Sequence, residues 1–362
     1  MRIVVAFLMG LIIVCSLIFY VEGWTDDEPS TSGEKIASEE AGTEEAADDR
    51  EIAAQETDDL DEPEVEEVEE ADGIHQFIGE GVERITEKFG EADRIDLTPY
   101  GYEWWIYNKN DVYLQFGVSE EKIVSVFTND ERADTAFFRV GDDYYKVNDH
   151  LQFQKEVPMG GNYVAHQFEL SEEDMRIRPL ASIGDVWVQV YFDTASDTVS
   201  SIRYTDQETL LLHKPYSIVY RGILPEAEPL SAEDWQLVQD GQALQILDLT
   251  NHIRERYGAQ PLTWDEATAK VAYLHSEDMY RDEYFAHTSP TYGELKDRLA
   301  VESVVYELAA ENIAANYPDA IEAVEGWLNS EGHRVNLLDE RFTHLGVGVY
   351  RFYFTQNFIT PW

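Results

Sequence analysis

The sequence has little cysteine and little positive charge. Its 362 residues include one cysteine, Cys15, so no disulfide bond can form within the chain. Lys and Arg together number 26 against 73 Asp and Glu, which gives a formal net charge of −47. A surface of this charge repels phosphate backbones, so the composition argues against nucleic acid as a partner.

Strong catalytic motifs are also missing. None of the nine histidines begins a His-Glu-x-x-His zinc motif, and no serine or thiol lies in a recognisable nucleophile setting. Ser276, Ser289 and Ser330 are close to histidines in sequence only. Any chemistry must therefore come from residues that the fold brings together.

One long apolar segment is present, at residues 3–21, directly after Arg2. At 1.5 Å per residue, a helix of this length roughly spans a hydrocarbon core. A basic residue before the segment and acidic residues after it predict a membrane anchor in residues 1–23, with the remainder outside the cytoplasm. The alternative is secretion after cleavage of a signal peptide, for which Val21-Glu-Gly23 offers a poor small-residue site.

Residues 24–72 are strongly acidic. They contain 22 Asp and Glu but only Lys35 and Arg50 as basic residues, and no aromatic residue follows Trp24. Such a segment cannot bury enough apolar surface to offset the entropy of ordering, so we predict a disordered acidic linker. An exported chain without disulfides is typical of a Gram-positive bacterium rather than of an animal or plant secretory route.

Composition changes near Ile74, where Tyr, Trp, Phe and Val become frequent. We predict a short helix that ends at Gly90, followed by strands near 101–107, 112–116 and 123–127. The same order is predicted again from Gly141, with a helix at 144–151 and strands at 163–170, 186–192 and 199–204. Alternating apolar residues indicate half-buried antiparallel strands. Residues 73–222 are therefore predicted to be an α+β domain built from a duplicated helix-plus-meander unit.

Helical periodicity dominates from residue 232 onward. Ser231 is a candidate helix cap, and Gly258 ends the first helix. Thr263-x-x-Glu266 predicts a capping box and Asp319-x-x-Glu322 predicts the start of another helix. Alternating residues at 345–350 and 352–358 predict two closing strands. Residues 232–362 therefore form a second domain, in which helices surround a small sheet.

Four motifs of this second domain resemble the CAP superfamily of cysteine-rich secretory, antigen 5 and pathogenesis-related proteins, closest to its disulfide-free bacterial branch. They occur in family order: His287-Thr-Ser-Pro-Thr-Tyr-Gly293, Glu311-Asn-Ile-Ala314, Gly326-Trp-Leu-Asn-Ser-Glu-Gly-His-Arg334 and Gly346-Val-Gly-Val349 with Thr355-Gln-Asn-Phe358. Residues 73–220 resemble the domain that precedes CAP modules in some Firmicutes membrane proteins. Gly101-Tyr-Glu-Trp-Trp105 and Phe168-Glu-Leu-Ser-Glu-Glu-Asp174 carry that second resemblance.

The resemblance implies an αβα sandwich with a cleft lined by two His and two Glu. Three of these positions match His287, Glu311 and His333, and the fourth, a Glu in eukaryotic members, falls on Ser330. Asn312 belongs to the same predicted cleft. Two imidazoles and a carboxylate are a plausible ligand set for Zn²⁺, and the same groups can relay protons. His275 and His344 are expected to serve packing or turns, and Arg334 to form a structural ion pair.

Three functions follow from these features. The first is an extracytoplasmic binding module that recognises an envelope or extracellular ligand through the His/Glu cleft. The second is a metal-assisted hydrolase acting on a cell-wall or peptide substrate, which the missing fourth carboxylate disfavours. The third is a structural partner in a membrane complex, with residues 73–222 supplying the interface.

Overall fold

The structure, a computed structural model, describes residues 72–108, 112–160 and 165–362. The predicted anchor or signal peptide in residues 1–23 and the predicted linker up to residue 71 lie outside the described residues. None of the helices described combines the length and apolarity needed to cross a bilayer.

The N-terminal region is mixed α and β, as predicted. In its described part, antiparallel strands form one sheet in the order β1-β2-β3-β4-β9-β8-β7. These strands are β1 (Arg94–Leu97), β2 (Glu103–Tyr107), β3 (Leu114–Ser119), β4 (Lys122–Thr128), β7 (Leu180–Ile183), β8 (Val186–Asp193) and β9 (Thr198–Thr205). A smaller sheet holds β10 (Ser217–Arg221), β6 (Ala165–Glu169) and β5 (Glu156–Met159) in that order. A 3₁₀ turn (Ile74–Phe77) precedes the helices α1 (Val82–Phe89), α2 (Tyr144–Leu151), α3 (Glu172–Ile177) and α4 (Gln207–His213).

The predicted duplication takes the form of two meanders, β2-β3-β4 and β7-β8-β9, which are joined where β4 pairs with β9. The strand predicted at 163–170 does not belong to the second meander, which is a correction. As β6 it pairs with β5 and β10, and its Phe168 packs with Leu210 and Tyr216 in a separate small core. Sequence alternation marks a strand but does not say which sheet it joins.

Residues 232–362, all of them described, form three layers. The sheet order is β11-β13-β14-β12, from β11 (Thr263–Trp264), β13 (His344–Tyr350), β14 (Tyr353–Pro361) and β12 (Tyr306–Ala315). The helices are α5 (Ala232–Arg256), α6 (Glu266–Arg281), α7 (Leu295–Val301), α8 (Ala320–Leu328) and α9 (Glu331–Leu338). This is the αβα sandwich that the resemblance implies.

The Gly-Val-Gly-Val motif of β13 explains how two helices pack on opposite faces of the sheet. A Cβ atom at Gly348 would lie 1.8 Å from the backbone nitrogen of Tyr273, and one at Gly346 would lie 2.2 Å from that of Ala269. The α6 backbone therefore contacts the face that carries the glycines. Val347 and Val349 point to the other face, where they pack with residues of α5 and α8.

Two of the predicted helix caps are confirmed and one is wrong. Ser231 accepts a hydrogen bond from the Asp234 nitrogen at 3.1 Å, and Asp319 accepts one from the Glu322 nitrogen at 3.0 Å. The capping box predicted at Thr263 does not form, because Thr263 lies in β11 and pairs with His344 of β13. Asp265 caps α6 instead and accepts from the Thr268 nitrogen at 2.8 Å.

The two regions share one hydrophobic core. Trp104 and Tyr191 of the N-terminal region lie in the same buried cluster as Ile246, Val324 and Trp327 of the C-terminal region. The boundary near residues 222–232 therefore separates two sequence regions that pack as one body.

Helix α8 turns an acidic face to the N-terminal region. Asp319, Glu322 and Glu325 recur every three residues, so they lie on one side of the helix, and all three are buried. Arg203, which is fully buried, binds Asp319 at 2.7 Å, and Arg178 pairs with Glu322. A buried carboxylate without a cation would destabilise the fold by several kcal/mol, so these pairs fix the docking of α8.

Glu325 is held differently from the other two carboxyl groups. Its Oε1 accepts hydrogen bonds from Ser200 at 3.1 Å and Ser201 at 2.6 Å, whereas its Oε2 is buried without a partner among the described residues. Burial raises the pKa of Glu325 to about 7, although Ser201 and the charge of Arg256 favour the ionised form. The carboxyl therefore retains its proton in the folded state up to near-neutral pH.

We predict that Glu325→Gln removes a part of the pH dependence of folding. Between the ordinary carboxyl pKa and about pH 7, Glu325 keeps a proton in the folded state that it has lost in the unfolded state. Its contribution to the free energy of unfolding therefore falls as pH rises. The free energy of unfolding of the variant, relative to wild type, should rise by up to about 3 kcal/mol between about pH 4 and about pH 8. Chemical unfolding at each pH measures this difference. Glu307→Gln, at an exposed position, controls for the lost charge, and an equal response of both variants would contradict the prediction.

Candidate functional site: the His287–Glu311–His333 site

Glu311 lies on β12 and is 8 % exposed. His287 Nδ1 is 3.0 Å from its Oε1, and the Arg298 guanidinium binds its Oε2. Burial opposes ionisation, but the hydrogen bond from His287 and the positive charge of Arg298 hold the pKa of the Glu311 carboxyl below its ordinary value. Glu311 is therefore a charged, buried group with both oxygens engaged.

The contact with Glu311 fixes the tautomer of His287. An ionised carboxylate only accepts hydrogen bonds, so His287 Nδ1 must carry the proton. In the neutral imidazole the other nitrogen, Nε2, is then an acceptor. The His287 side chain is 25 % exposed, so solvent reaches this ring although it does not reach the carboxylate beneath it.

Arg298, on α7, also supports the loop that carries His287. Its Nη1 donates to the His287 carbonyl oxygen at 2.7 Å and to the Gly293 carbonyl oxygen at 3.2 Å. Ser289 and Gly293 close this loop through paired backbone hydrogen bonds of 2.9 and 3.1 Å. One buried guanidinium therefore joins the loop, α7 and the central carboxylate. Arg298 was not among the predicted site residues, although a buried carboxylate at residue 311 needs a cation nearby.

A second carboxylate holds the same loop from below. Asp278 on α6 accepts a hydrogen bond from Ser289 Oγ at 2.7 Å and another from the Tyr284 hydroxyl. The backbone nitrogens of Thr291 and Tyr292 donate to Ser289 Oγ at 3.1 and 2.8 Å. The Ser289 hydroxyl is thus a structural group that donates to Asp278 and shapes the loop.

His275 is closer to the site than its predicted packing role implies. It is 1 % exposed, and its Nε2 lies 3.9 Å from Glu311 Oε1 and donates to the Ala286 carbonyl oxygen at 3.1 Å. Burial lowers the pKa of His275 to about 4 despite the attraction of Glu311. It is a neutral ring at neutral pH that packs beneath the site.

His333 lies at the start of α9 beside Ser330. The Ser330 hydroxyl and His333 Nδ1 are 2.8 Å apart. Ser330 occupies the N-cap position of α9 but makes no side-chain cap hydrogen bond, because its hydroxyl contacts the imidazole instead. Burial and then the neighbouring His287 lower the pKa of His333 to about 4. Both predicted histidines thus lie at the site. Ser330 was expected to be close to histidines in sequence only, and this was wrong, because its hydroxyl contacts the His333 ring.

Asn312 connects the sheet to α9. It is fully buried, and its Nδ2 donates to the His333 carbonyl oxygen at 3.1 Å and to Gln356 Oε1 at 3.2 Å. Asn336 Nδ2 donates to Asn312 Oδ1 at 3.0 Å. Every polar atom of the Asn312 amide is therefore used within the protein, which makes Asn312 an anchor of the His333 backbone.

The predicted zinc ligands do not form a ready ligand set. Both Glu311 oxygens already contact His287 or Arg298, and a guanidinium beside the carboxylate repels a metal cation. No group of three or more His, Cys, Asp or Glu in the part of the chain described here is arranged to hold a metal ion. Zinc binding by His287, Glu311 and His333 stays a prediction. It would require Glu311 to break its present hydrogen bonds with His287 and Arg298.

The loop that carries His287 also carries two exposed aromatic residues. Phe285 and Tyr292 lie on the same loop as His287 and are 38 % and 57 % exposed. Two cavities of about 460 Å³ each, at other places among the described residues, contain none of the site residues.

Comparison with known proteins identifies both regions. Residues 78–216 match the family model of the CAP-associated N-terminal domain, and residues 247–360 match that of the cysteine-rich secretory protein family, CAP. The uncharacterized membrane protein YlbC of Bacillus subtilis is 45 % identical over 291 residues, which cover 80 % of this chain and 84 % of that protein. The chain belongs to the CAP family.

Other members support the same assignment. The uncharacterized protein YkwD of Bacillus subtilis is 45 % identical over 103 residues, 28 % of this chain and 40 % of that protein. An extracellular protein of Bacillus anthracis with an SCP domain has a solved structure with a TM-score of 0.77 and 40 % identity, covering 85 % of this chain and all of that one. A cysteine-rich secretory protein of Staphylococcus aureus gives a TM-score of 0.70 at 26 % identity, covering 80 % and 95 %. The fold described above is thus that of solved CAP-family proteins.

We predict that loss of Arg298 destabilises this CAP-family protein through Glu311. Arg298→Gln leaves a buried carboxylate without its cation, which should lower the free energy of unfolding by about 3–5 kcal/mol. Adding Glu311→Gln to the same chain removes the unpaired charge and should restore a large part of the loss. Chemical unfolding measures both effects.

Arg281→Gln is the matched control for that experiment, because Arg281 is exposed and pairs with Glu277 on the surface. Exposed ion pairs contribute little to stability, so this variant should unfold almost as wild type does. The account of Glu311 fails if the Arg298 and Arg281 variants behave alike, or if Glu311→Gln brings no recovery.

Proposed function

We propose that this protein is an extracytoplasmic, membrane-anchored binding module whose His287–Glu311–His333 site recognises a ligand of the cell envelope. The apolar segment at residues 3–21 supports the anchor, as does the name of the relative YlbC, a membrane protein. The Bacillus anthracis relative is described as extracellular, which supports a location outside the cytoplasm.

The observation that supports this proposal is that both carboxylate oxygens of Glu311 are already bonded within the protein. Its two oxygens contact His287 and Arg298, and Ser330 falls at the position where the resemblance to the family implies a second carboxylate. A carboxylate that acts as a general base needs a free acceptor oxygen within hydrogen-bonding reach of the substrate, and neither position supplies one. His287 Nε2 is the acceptor that the site leaves available. The site instead presents an oriented imidazole, which suits recognition by hydrogen bonding.

The chemistry around His287 suggests the class of ligand. Exposed Phe285 and Tyr292 offer apolar ring faces on the loop that carries the His287 imidazole. A ligand with both apolar faces and hydrogen-bonding groups, such as the sugar or peptide parts of a bacterial wall, fits this mixture. The strong net negative charge of the chain disfavours anionic ligands.

We predict that the protein is retained on purified peptidoglycan and that the site is responsible. His287→Ala and His333→Ala should each weaken retention by about tenfold, equivalent to about 1.4 kcal/mol of binding free energy. His344→Ala, a histidine on β13 that contacts Thr343, is the matched control and should bind as wild type. Sedimentation with wall sacculi at several protein concentrations measures the affinity.

Absence of retention for wild type would contradict the proposal, and so would equal loss in the His344 control. Interaction with a membrane protein that survives loss of both site histidines would favour the third function, a structural partner in a membrane complex.

The alternative is a metal-assisted hydrolase acting on a wall or peptide substrate. One observation favours it, because a carboxylate that accepts from the Nδ1 of a histidine also orients metal-binding imidazoles in known metal sites. The same variants, purified without a histidine tag, test it. A Zn²⁺-dependent rise in the unfolding midpoint that disappears in both histidine variants, together with release of soluble wall fragments, would favour the hydrolase over the binding module.

A further inference from the structure

The link between α8 and α9 is bonded to the CAP-associated domain immediately before Ser330. Asn329 Nδ2 donates to the Phe192 carbonyl oxygen at 2.9 Å, and the Thr194 nitrogen donates to Asn329 Oδ1 at 2.9 Å. Both polar atoms of the Asn329 amide thus contact the end of β8 and the turn that follows. We refer to Phe192, Asp193 and Thr194, at the end of β8 and the start of that turn, as the 192–194 segment.

A second contact with the 192–194 segment follows immediately after His333. Arg334 lies 2.8 Å from Asp193 Oδ2, its Nη1 donates to the Leu328 carbonyl oxygen at 3.1 Å, and its guanidinium lies 4.8 Å from the centre of the Tyr257 ring. The Tyr257 hydroxyl also donates to Asp193. Asp193 is 1 % exposed, so its charge needs this cation. The prediction that Arg334 forms a structural ion pair agrees with this geometry.

The two halves of the site therefore have different supports. The His287 half is held by Arg298 and Glu311, which belong to the CAP domain itself. The His333 half is held by Asn312 from the CAP sheet. It is also held by the 192–194 segment of the other domain, which contacts Asn329 before residues 330–333 and Arg334 after them.

We propose that the CAP-associated domain positions His333, with Asn329 and Arg334 as the positioning residues through which the 192–194 segment acts. A shift of β8 relative to α8 would move the first turn of α9 and with it the Ser330–His333 pair. The His287 half would remain in place. The CAP-associated domain would thus help to set the distance between the imidazoles of His287 and His333. The proposal rests on the proposed function only in treating His333 as part of the ligand site.

The test uses the full chain in detergent micelles and compares Asp193→Asn with wild type. Amide hydrogen–deuterium exchange, read by mass spectrometry, should become about tenfold faster or more in peptides from 329–338 and stay unchanged in peptides from 285–298. The ¹³Cε1 chemical shift of labelled His333 should move, whereas that of His287 should not. Arg334→Gln removes the same ion pair from the other side and should reproduce both changes.

Asp248→Asn is the matched control. It breaks the 2.9 Å ion pair between Arg94 and Asp248, which also joins the two domains but reaches α5 rather than α9. This control should leave exchange in 329–338 and the His333 shift unchanged. Equal effects of Asp193→Asn and Asp248→Asn would show general loosening of the interface and overturn the proposal. The proposal would also be overturned if Asp193→Asn had no effect or if Arg334→Gln had none.

Wall retention of the Asp193 variant separates this proposal from the proposed function. If wild type is not retained on peptidoglycan, the proposed function fails, yet the exchange and chemical-shift results still decide whether His333 depends on the 192–194 segment. If wild type is retained and the Asp193 variant shows local exchange without any loss of retention, His333 is positioned as proposed but the ligand does not use it.

Discussion

The pairing of buried charges along α8 is the constraint on which the rest of this structure depends. Three acidic side chains of one helix, Asp319, Glu322 and Glu325, point into the neighbouring domain, and Arg203 and Arg178 meet two of them. Charges removed from water stabilise a fold only when partners of the opposite sign are correctly placed. These pairs form between the two domains as they are docked here, and this docking places the end of α8 from which Ser330 and His333 follow.

The same rule governs the candidate site on a smaller scale. Glu311 is buried beside His275, and Arg298 supplies the charge that keeps it ionised. The result is a carboxylate that orients His287 and is itself withdrawn from solvent. The acidic group of the site therefore lies beneath an imidazole that is itself partly exposed to solvent.

Local features of the sequence predicted local features of the fold. The Ser231 and Asp319 caps and the closing strands β13 and β14 follow from local patterns of this kind. The proximity of His287 to Glu311 was expected from the resemblance to the CAP family rather than from local spacing. Partners separated by long stretches of chain were not predictable in this way. Arg298, His275 and the ion pairs of α8 become meaningful only once the sheet has brought them together. The capping box predicted at Thr263 was wrong because Thr263 pairs with β13 as part of a strand, which overrides the local capping pattern.

The most direct test of the central claim is calorimetric unfolding of the full chain in detergent. If the buried pairs and the shared core make one body of the two domains, residues 72–362 should unfold in a single transition whose calorimetric and van't Hoff enthalpies agree. Arg203→Met, which leaves Asp319 without its buried cation, should lower the midpoint of that single transition. Two separate transitions in wild type, of which Arg203→Met shifts neither, would contradict the account.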